Sequence, residues 1–156
     1  MKNKPILIVL GEPNSIFSET LFKLFRSKTY KNLKKPIILI GSKKLLIEQM
    51  LKLKFKFTIK ELEIKDIKKY QLDKKNINII NVNFSYKKIF DKISDKSKKY
   101  IEKCFEIALK LLKKKYAYAL INGPVSKKHF LKKKFLGITE YLAHKTKTNN
   151  EVMLIY

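Results

Sequence analysis

Pro5-Ile6-Leu7-Ile8-Val9-Leu10-Gly11-Glu12-Pro13-Asn14-Ser15 is the stretch from which the architecture follows. The apolar run before Gly11 reads as a buried strand. Gly11-Glu12-Pro13 stops it abruptly and turns the chain. From Ile16 to Ser27 the apolar spacing changes to that of a helix, with Phe17, Leu21, Leu24 and Phe25 on one face. Ser15 is the expected N-cap, and Glu19 lies near the first turn, where a negative charge suits the helix dipole. Strand, tight turn and amphipathic helix in this order are the unit from which parallel α/β sheets are built.

The rest of the chain repeats the rhythm. Pro36 to Ile40 is a second strand ended by Gly41, and Ser42 is placed to cap a helix running to about Leu53. From Lys54 to Ile64 apolar and charged residues alternate (Phe55, Phe57, Ile59, then Leu62 and Ile64 after a slip of one), which predicts a half-exposed strand. Asn76 to Val82 is another apolar strand. A long helix follows, with Ser94 or Asp95 as its cap and Ile101, Cys104, Phe105, Ala108, Leu111 and Leu112 as its apolar stripe. Ala117 to Ile121 is read as a buried strand, Asn122-Gly123-Pro124 as a turn, and Lys127 to Lys133 and Thr139 to Lys147 as short helices. Glu151 to Tyr156 is a final strand. The fold class is therefore α/β, a largely parallel sheet with flanking helices, in one domain over residues 1–156. Because the apolar strand Val152 to Tyr156 has nothing after it, the expectation is an N-terminal portion of a single longer α/β enzyme, its C-terminal portion absent.

Composition narrows the function classes. Hydrophobic residues make up 45% of the 156, enough for a real core. No apolar run approaches the roughly 18 residues of a membrane span. Lys2 and Lys4 ahead of a short apolar run resemble a secretory leader superficially, but no small-residue cleavage site follows. The single cysteine, Cys104, excludes an internal disulfide framework and fits a reducing cytoplasm. The net charge of +24 points first to a nucleic-acid-binding module. Against that, Arg26 is the one arginine among 37 basic residues, and the lysines are spread along most of the chain. Lys, Ile, Asn and Phe in excess with Ala and Arg scarce is the composition of A+T-rich coding. Nucleic acid is not the expected partner, and a basic nucleic-acid-binding module is the alternative.

Chemistry in open α/β sheets gathers at the C-terminal ends of strands. Gly11-Glu12-Pro13-Asn14-Ser15 can turn toward an anion at the following helix N-terminus, but it lacks the later glycines of a dinucleotide fingerprint. In Asn122-Gly123-Pro124-Val125-Ser126-Lys127, Gly123 lets the backbone approach a ligand closely, and Lys127 can point an ammonium at a phosphate or carboxylate. In Gly137-Ile138-Thr139-Glu140, Thr139 either caps a helix or offers its hydroxyl to a phosphate. His129 and His144 are too isolated for a metal site, which needs three or four converging groups. Cys104 on the apolar stripe is expected to be an inert core thiol.

Three of these segments in register carry a resemblance. Gly11-Glu12-Pro13 with Ile16 and Glu19 is similar to the G-E-P-x-G-I-G-P-E opening of the 4-hydroxythreonine-4-phosphate dehydrogenase family. Ala119 through Lys127 resembles that family's strand and turn ending in a lysine, and Gly137-Ile138-Thr139-Glu140 with Tyr141, Leu142 and Ala143 resembles its G-H-T-E segment. The resemblance covers this chain and about the first half of the family's length. It implies an isocitrate/isopropylmalate dehydrogenase-like fold and a homodimer. It also implies oxidation and decarboxylation of 4-phosphohydroxy-L-threonine with NAD or NADP and a divalent metal (Zn, Mg or Co), on the route to pyridoxine 5'-phosphate. By the same resemblance, Thr139, Lys127 and Gly123 hold the phosphorylated substrate. Ile138 stands where the family has a substrate-contacting histidine, and Ser15, Phe17 and Ser18 replace the glycines and proline of the opening loop. The metal ligands are expected beyond Tyr156, so this chain alone is expected to be inactive, or a catalytically dead remnant.

Overall fold

The computed structural model describes residues 4–67, 72 and 75–148. Five parallel strands form one sheet: β1 (Ile6–Val9), β2 (Ile37–Gly41), β3 (Ile59–Glu61), β4 (Ile77–Asn81) and β5 (Ala119–Asn122), in the order β3-β4-β2-β1-β5. Ile8 lies opposite Leu39 on one side and Ile121 on the other. The helices are α1 (Phe17–Arg26), α2 (Lys28–Asn32), α3 (Lys43–Lys52), α4 (Lys98–Lys113) and α5 (Ile138–Thr146).

The period-two alternation of the central strands feeds two cores, one on each face. Leu7, Val9, Ile38, Ile40 and Ile80 meet the stripe of α4, where Ile101, Cys104, Phe105, Ala108 and Leu111 are buried. Ile8, Leu39, Ile77 and Ile79 meet Leu21, Phe22 and Phe25 of α1 and Leu46 and Met50 of α3. Strands covered on both faces must be apolar throughout, which is why β1 and β2 carry no polar side chain. Burying each such side chain stabilises the fold by about 1.5–3 kcal/mol. Among the described residues no helix is long and apolar enough to cross a membrane.

Several expectations are corrected. The strand expected over residues 54–64 shrinks to Ile59–Glu61. Lys54 turns the chain at φ 58°, and Phe55 and Phe57 stack against Phe22, with ring centroids 5.3 and 6.0 Å away. Their alternation serves an aromatic cluster over α1, not a strand ladder. The segment expected as a buried strand at 117–121 is half-buried and is the last strand of the sheet among the described residues, with Ile121 48% exposed. Ser15 is not the cap of α1: Ile16 holds that position, and the Ser15 hydroxyl donates to the Glu12 carbonyl at 2.8 Å, closing the turn. Neither Ser94 nor Asp95 caps α4, because a 3-10 turn over Asp95–Ser97 precedes it. Ser42 does cap α3, accepting from the Leu45 N–H at 3.3 Å. Ser27 likewise caps α2, a helix absent from the sequence reading, accepting from Tyr30 at 3.2 Å. The helix expected from Lys127 is a single π turn, Lys127–Leu131, stopped by Lys132 and Lys133 in the left-handed region. The strand expected at Glu151 to Tyr156 lies outside the described residues.

Candidate active site

From β1 the chain passes through α1 to β2 on one side, while β5 pairs with β1 on the other. The loops leaving β1 and β5 therefore diverge at a topological switch point, the place where open parallel sheets bind ligands. The two loops singled out in the sequence, residues 11–15 and 122–127, are these two.

They meet backbone to backbone. Gly11 sits at φ +71°, and a Cβ there would lie 2.3 Å from the Pro124 carbonyl oxygen. A Cβ on Gly123 would lie 2.4 Å from the Leu10 carbonyl oxygen and 2.8 Å from the Phe17 ring. The Glu12 N–H donates to the Pro124 carbonyl at 2.8 Å, and the Gly123 N–H donates to the Val9 carbonyl at 2.7 Å. Both glycines are demanded by this contact, since any side chain would separate the loops.

Segment 91–97 fastens the opening loop from outside. Glu12, 3% exposed, accepts from the Ser97 hydroxyl at 2.9 Å through Oε2. Asn14 donates to the Lys92 carbonyl at 3.3 Å and accepts from the Asp91 N–H at 3.2 Å. Asp95 pairs with His129 Nδ1 at 2.7 Å within the π turn and with Lys132 at 2.8 Å just past it. Hydrogen bonds from Lys132, then His129, hold the Asp95 carboxyl below its ordinary range.

The other sequence candidates separate. Lys127 is exposed at the start of the π turn, whose N-cap Ser126 accepts from His129 at 3.1 Å. Thr139 lies in the first turn of α5 and does not cap it, for Gly137 holds that position. Among the described residues no hydrogen bond or ion pair links Lys127 to Thr139; their elements are docked through Phe130 and Tyr141, with centroids 5.0 Å apart. Ile138 packs against the α4-side core. His129 is engaged by Asp95, and His144 packs its ring against Phe135 at 5.3 Å. The Cys104 thiol is pushed up to about 12 by burial, consistent with an inert core position.

Sequence reasoning missed Ser97, Asp95 and Tyr100. Tyr100 accepts from the Ser42 N–H at 3.0 Å, joining α4 to the end of β2. The signal was present for Ser97 and Tyr100: both extend the Ile101–Cys104 stripe backward at helical spacing. Asp95 had no such signal, because its partners lie 34 and 37 residues away in sequence.

The sequence model of the family described as pyridoxal phosphate biosynthetic protein PdxA matches residues 32–156. The chain belongs to the PdxA family. Two solved structures show the same fold. One is a 4-hydroxythreonine-4-phosphate dehydrogenase from Burkholderia phymatum, 19% identical, with a TM-score of 0.81 over 95% of this chain and 45% of that one. The other is the 4-hydroxythreonine-4-phosphate dehydrogenase from Klebsiella pneumoniae, 19% identical, with a TM-score of 0.79 over 94% and 46%. The chain thus spans about 45% of the length of the first of these PdxA-fold relatives. No curated protein matches it. The family match begins at residue 32, so the opening loop is tied to the PdxA fold through structure and not through that match.

The PdxA resemblance implies a divalent metal and a nicotinamide cofactor. Among the described residues no group of three or more His, Cys, Asp or Glu is arranged to hold a metal ion. The residues after Gly11 lack the further glycines of a dinucleotide fingerprint. The described residues thus offer neither such a metal cluster nor that fingerprint.

Proposed function

We propose that this chain supplies the substrate-side α/β half of an oxidoreductase acting on 4-phosphohydroxy-L-threonine, in pyridoxine 5'-phosphate synthesis. The PdxA match over residues 32–156 carries the reading, supported by the meeting of the Gly11 and Gly123 loops at the switch point. In this reading Lys127 supplies an ammonium for the phosphate and Thr139 a hydroxyl, while Gly123 keeps the turn before them seated against the opening loop. A phosphate dianion is favoured by a chain of net charge +24. Ile138 offers no hydrogen bond where the family has a histidine, so the substrate hydroxyl must be recognised by other groups. NAD or NADP and a divalent metal complete the proposal, with their binding groups outside the described residues, in a cytoplasmic homodimer.

The test is production of reduced nicotinamide from 4-phosphohydroxy-L-threonine and a divalent metal. It is run on the 156-residue chain and on any longer product of the same coding sequence. Turnover by the longer product with none by the shorter supports the reading. No turnover and no substrate binding by either abandons it. Lys127→Ala is expected to raise KM for the phosphorylated substrate about tenfold, the loss of one charge-assisted contact, with kcat little changed.

A further inference from the structure

Behind the opening loop, against α3, lies a chamber of about 20 Å³ whose polar lining is Glu12, Ser15, Ser18, Ser42, Gln49 and Tyr100. Most of these groups are already engaged. Ser42 caps α3, Tyr100 accepts from the Ser42 N–H, and Gln49 donates to the Pro13 carbonyl at 2.8 Å. Two are not fully satisfied. Ser18 is 6% exposed, and its Oγ has no hydrogen-bond partner among the described residues. Glu12 Oε1 receives only a long bond from the Asn14 N–H, at 3.4 Å.

A buried hydroxyl and a buried carboxylate oxygen facing one small chamber are costly unless something bridges them. The volume selects the bridge. About one water-sized probe, on the order of 10–15 Å³, is the minimum for a water, and a polar lining keeps such a site wet where an apolar one stays dry. A phosphate is too large and would face the Glu12 carboxylate. We propose that this chamber binds a single ordered water, which accepts from the Ser18 hydroxyl and donates to the carboxylate of Glu12. The family pattern matched by the opening loop has proline at this position, which would bring no hydroxyl into the chamber. The site therefore follows from this chain's own Ser18. Its role is to steady the buried Glu12 at the foot of the Gly11–Gly123 contact, and it stands apart from the activity proposed above.

A crystal structure of the 156-residue chain at high resolution tests this. The expected result is one density peak within about 3 Å of Ser18 Oγ and of a Glu12 carboxylate oxygen. In solution, magnetic relaxation dispersion of water should lose one long-lived molecule on Ser18→Ala. An ordered chamber without density overturns the proposal, as does a peak with the shorter, many-oxygen contacts of a metal cation. The wild-type density decides the matter even if Ser18→Ala folds poorly.

Discussion

β1 and β5 are hydrogen-bonded neighbours of equal length, and each ends in one of the two touching glycine loops. Their sequences, Ile-Leu-Ile-Val and Ala-Leu-Ile-Asn, differ modestly, yet their environments do not match. Leu7 and Val9 of β1 are fully buried, while Ile121 of β5 is 48% exposed. The reason lies in what surrounds each strand. β1 has strands on both sides and a core on both faces, whereas among the described residues β5 has a strand on one side only. The difference teaches that β1 is held by burial, whereas β5 owes its place chiefly to its ladder with β1 and to the glycine contact at its end.

The strongest way to break this comparison is to truncate one side chain from each strand. Leu7→Ala should cost about 2–5 kcal/mol, the range for emptying a tight core site. Ile121→Ala should cost about 1 kcal/mol or less. Urea unfolding of the two variants measures both, and equal losses would mean that β5 is buried by something beyond its described neighbours.

Next in size is the loop contact. Gly123→Ala drives a methyl onto the Leu10 carbonyl, which is backbone and cannot step aside, and should destabilise by about 1–3 kcal/mol. Gly137→Ala meets only the far end of the Glu140 side chain, at 3.0 Å, and should stay within about 0.5 kcal/mol. A chemical-denaturation midpoint that moves as much for position 137 as for 123 would show that the glycine contact is not special.

Ser97→Ala removes the strong donor to the buried Glu12, and about 1–3 kcal/mol should be lost. Ser94→Ala provides the control, because Ser94 contributes only its carbonyl to the same turn. Thermal melts of the pair sharpen the claim that segment 91–97 fastens the opening loop.

The smallest effect belongs to Asp95, which is solvent-exposed. Its folded carboxyl titrates below the ordinary carboxylate range because Lys132 and His129 bond to it. A lowered folded pKa contributes stability above the unfolded pKa, and that contribution fades as pH falls through the folded value. Asp95→Asn should therefore abolish a slight loss of stability on acidification below the usual carboxylate range. An NMR titration of the Asp95 carboxyl that gives an ordinary midpoint would remove the basis for it.

Much of the architecture was legible before any coordinates. The uninterrupted apolar runs at residues 6–10 and 37–40, and the run at 77–80 broken only by Asn78, read as covered strands, and the stripe from Ile101 to Leu111 as a helix packed on a sheet. Gly11 and Gly123 were legible as turns. That they touch was not, because Gly11's partner lies more than a hundred residues along the chain and no local pattern encodes such a distance. The same holds for Glu12 with Ser97 and for Asp95 with His129 and Lys132. Phe55 and Phe57 misled for the complementary reason: alternation shows that a side faces apolar surroundings, and here those surroundings are the rings over α1 and not a neighbouring strand.

The sequence by itself determined which segments must hide from water, and with it the α/β class, since hydrophobic period and turn residues are local properties. Tertiary structure alone decided strand order, and so placed β5 beside β1 and brought two distant glycine loops into contact. It also decided which polar groups go into the interior. Contacts between residues far apart in the chain depend on how whole elements pack, and that is settled by the combined burial of both faces of the sheet, not by any stretch read singly.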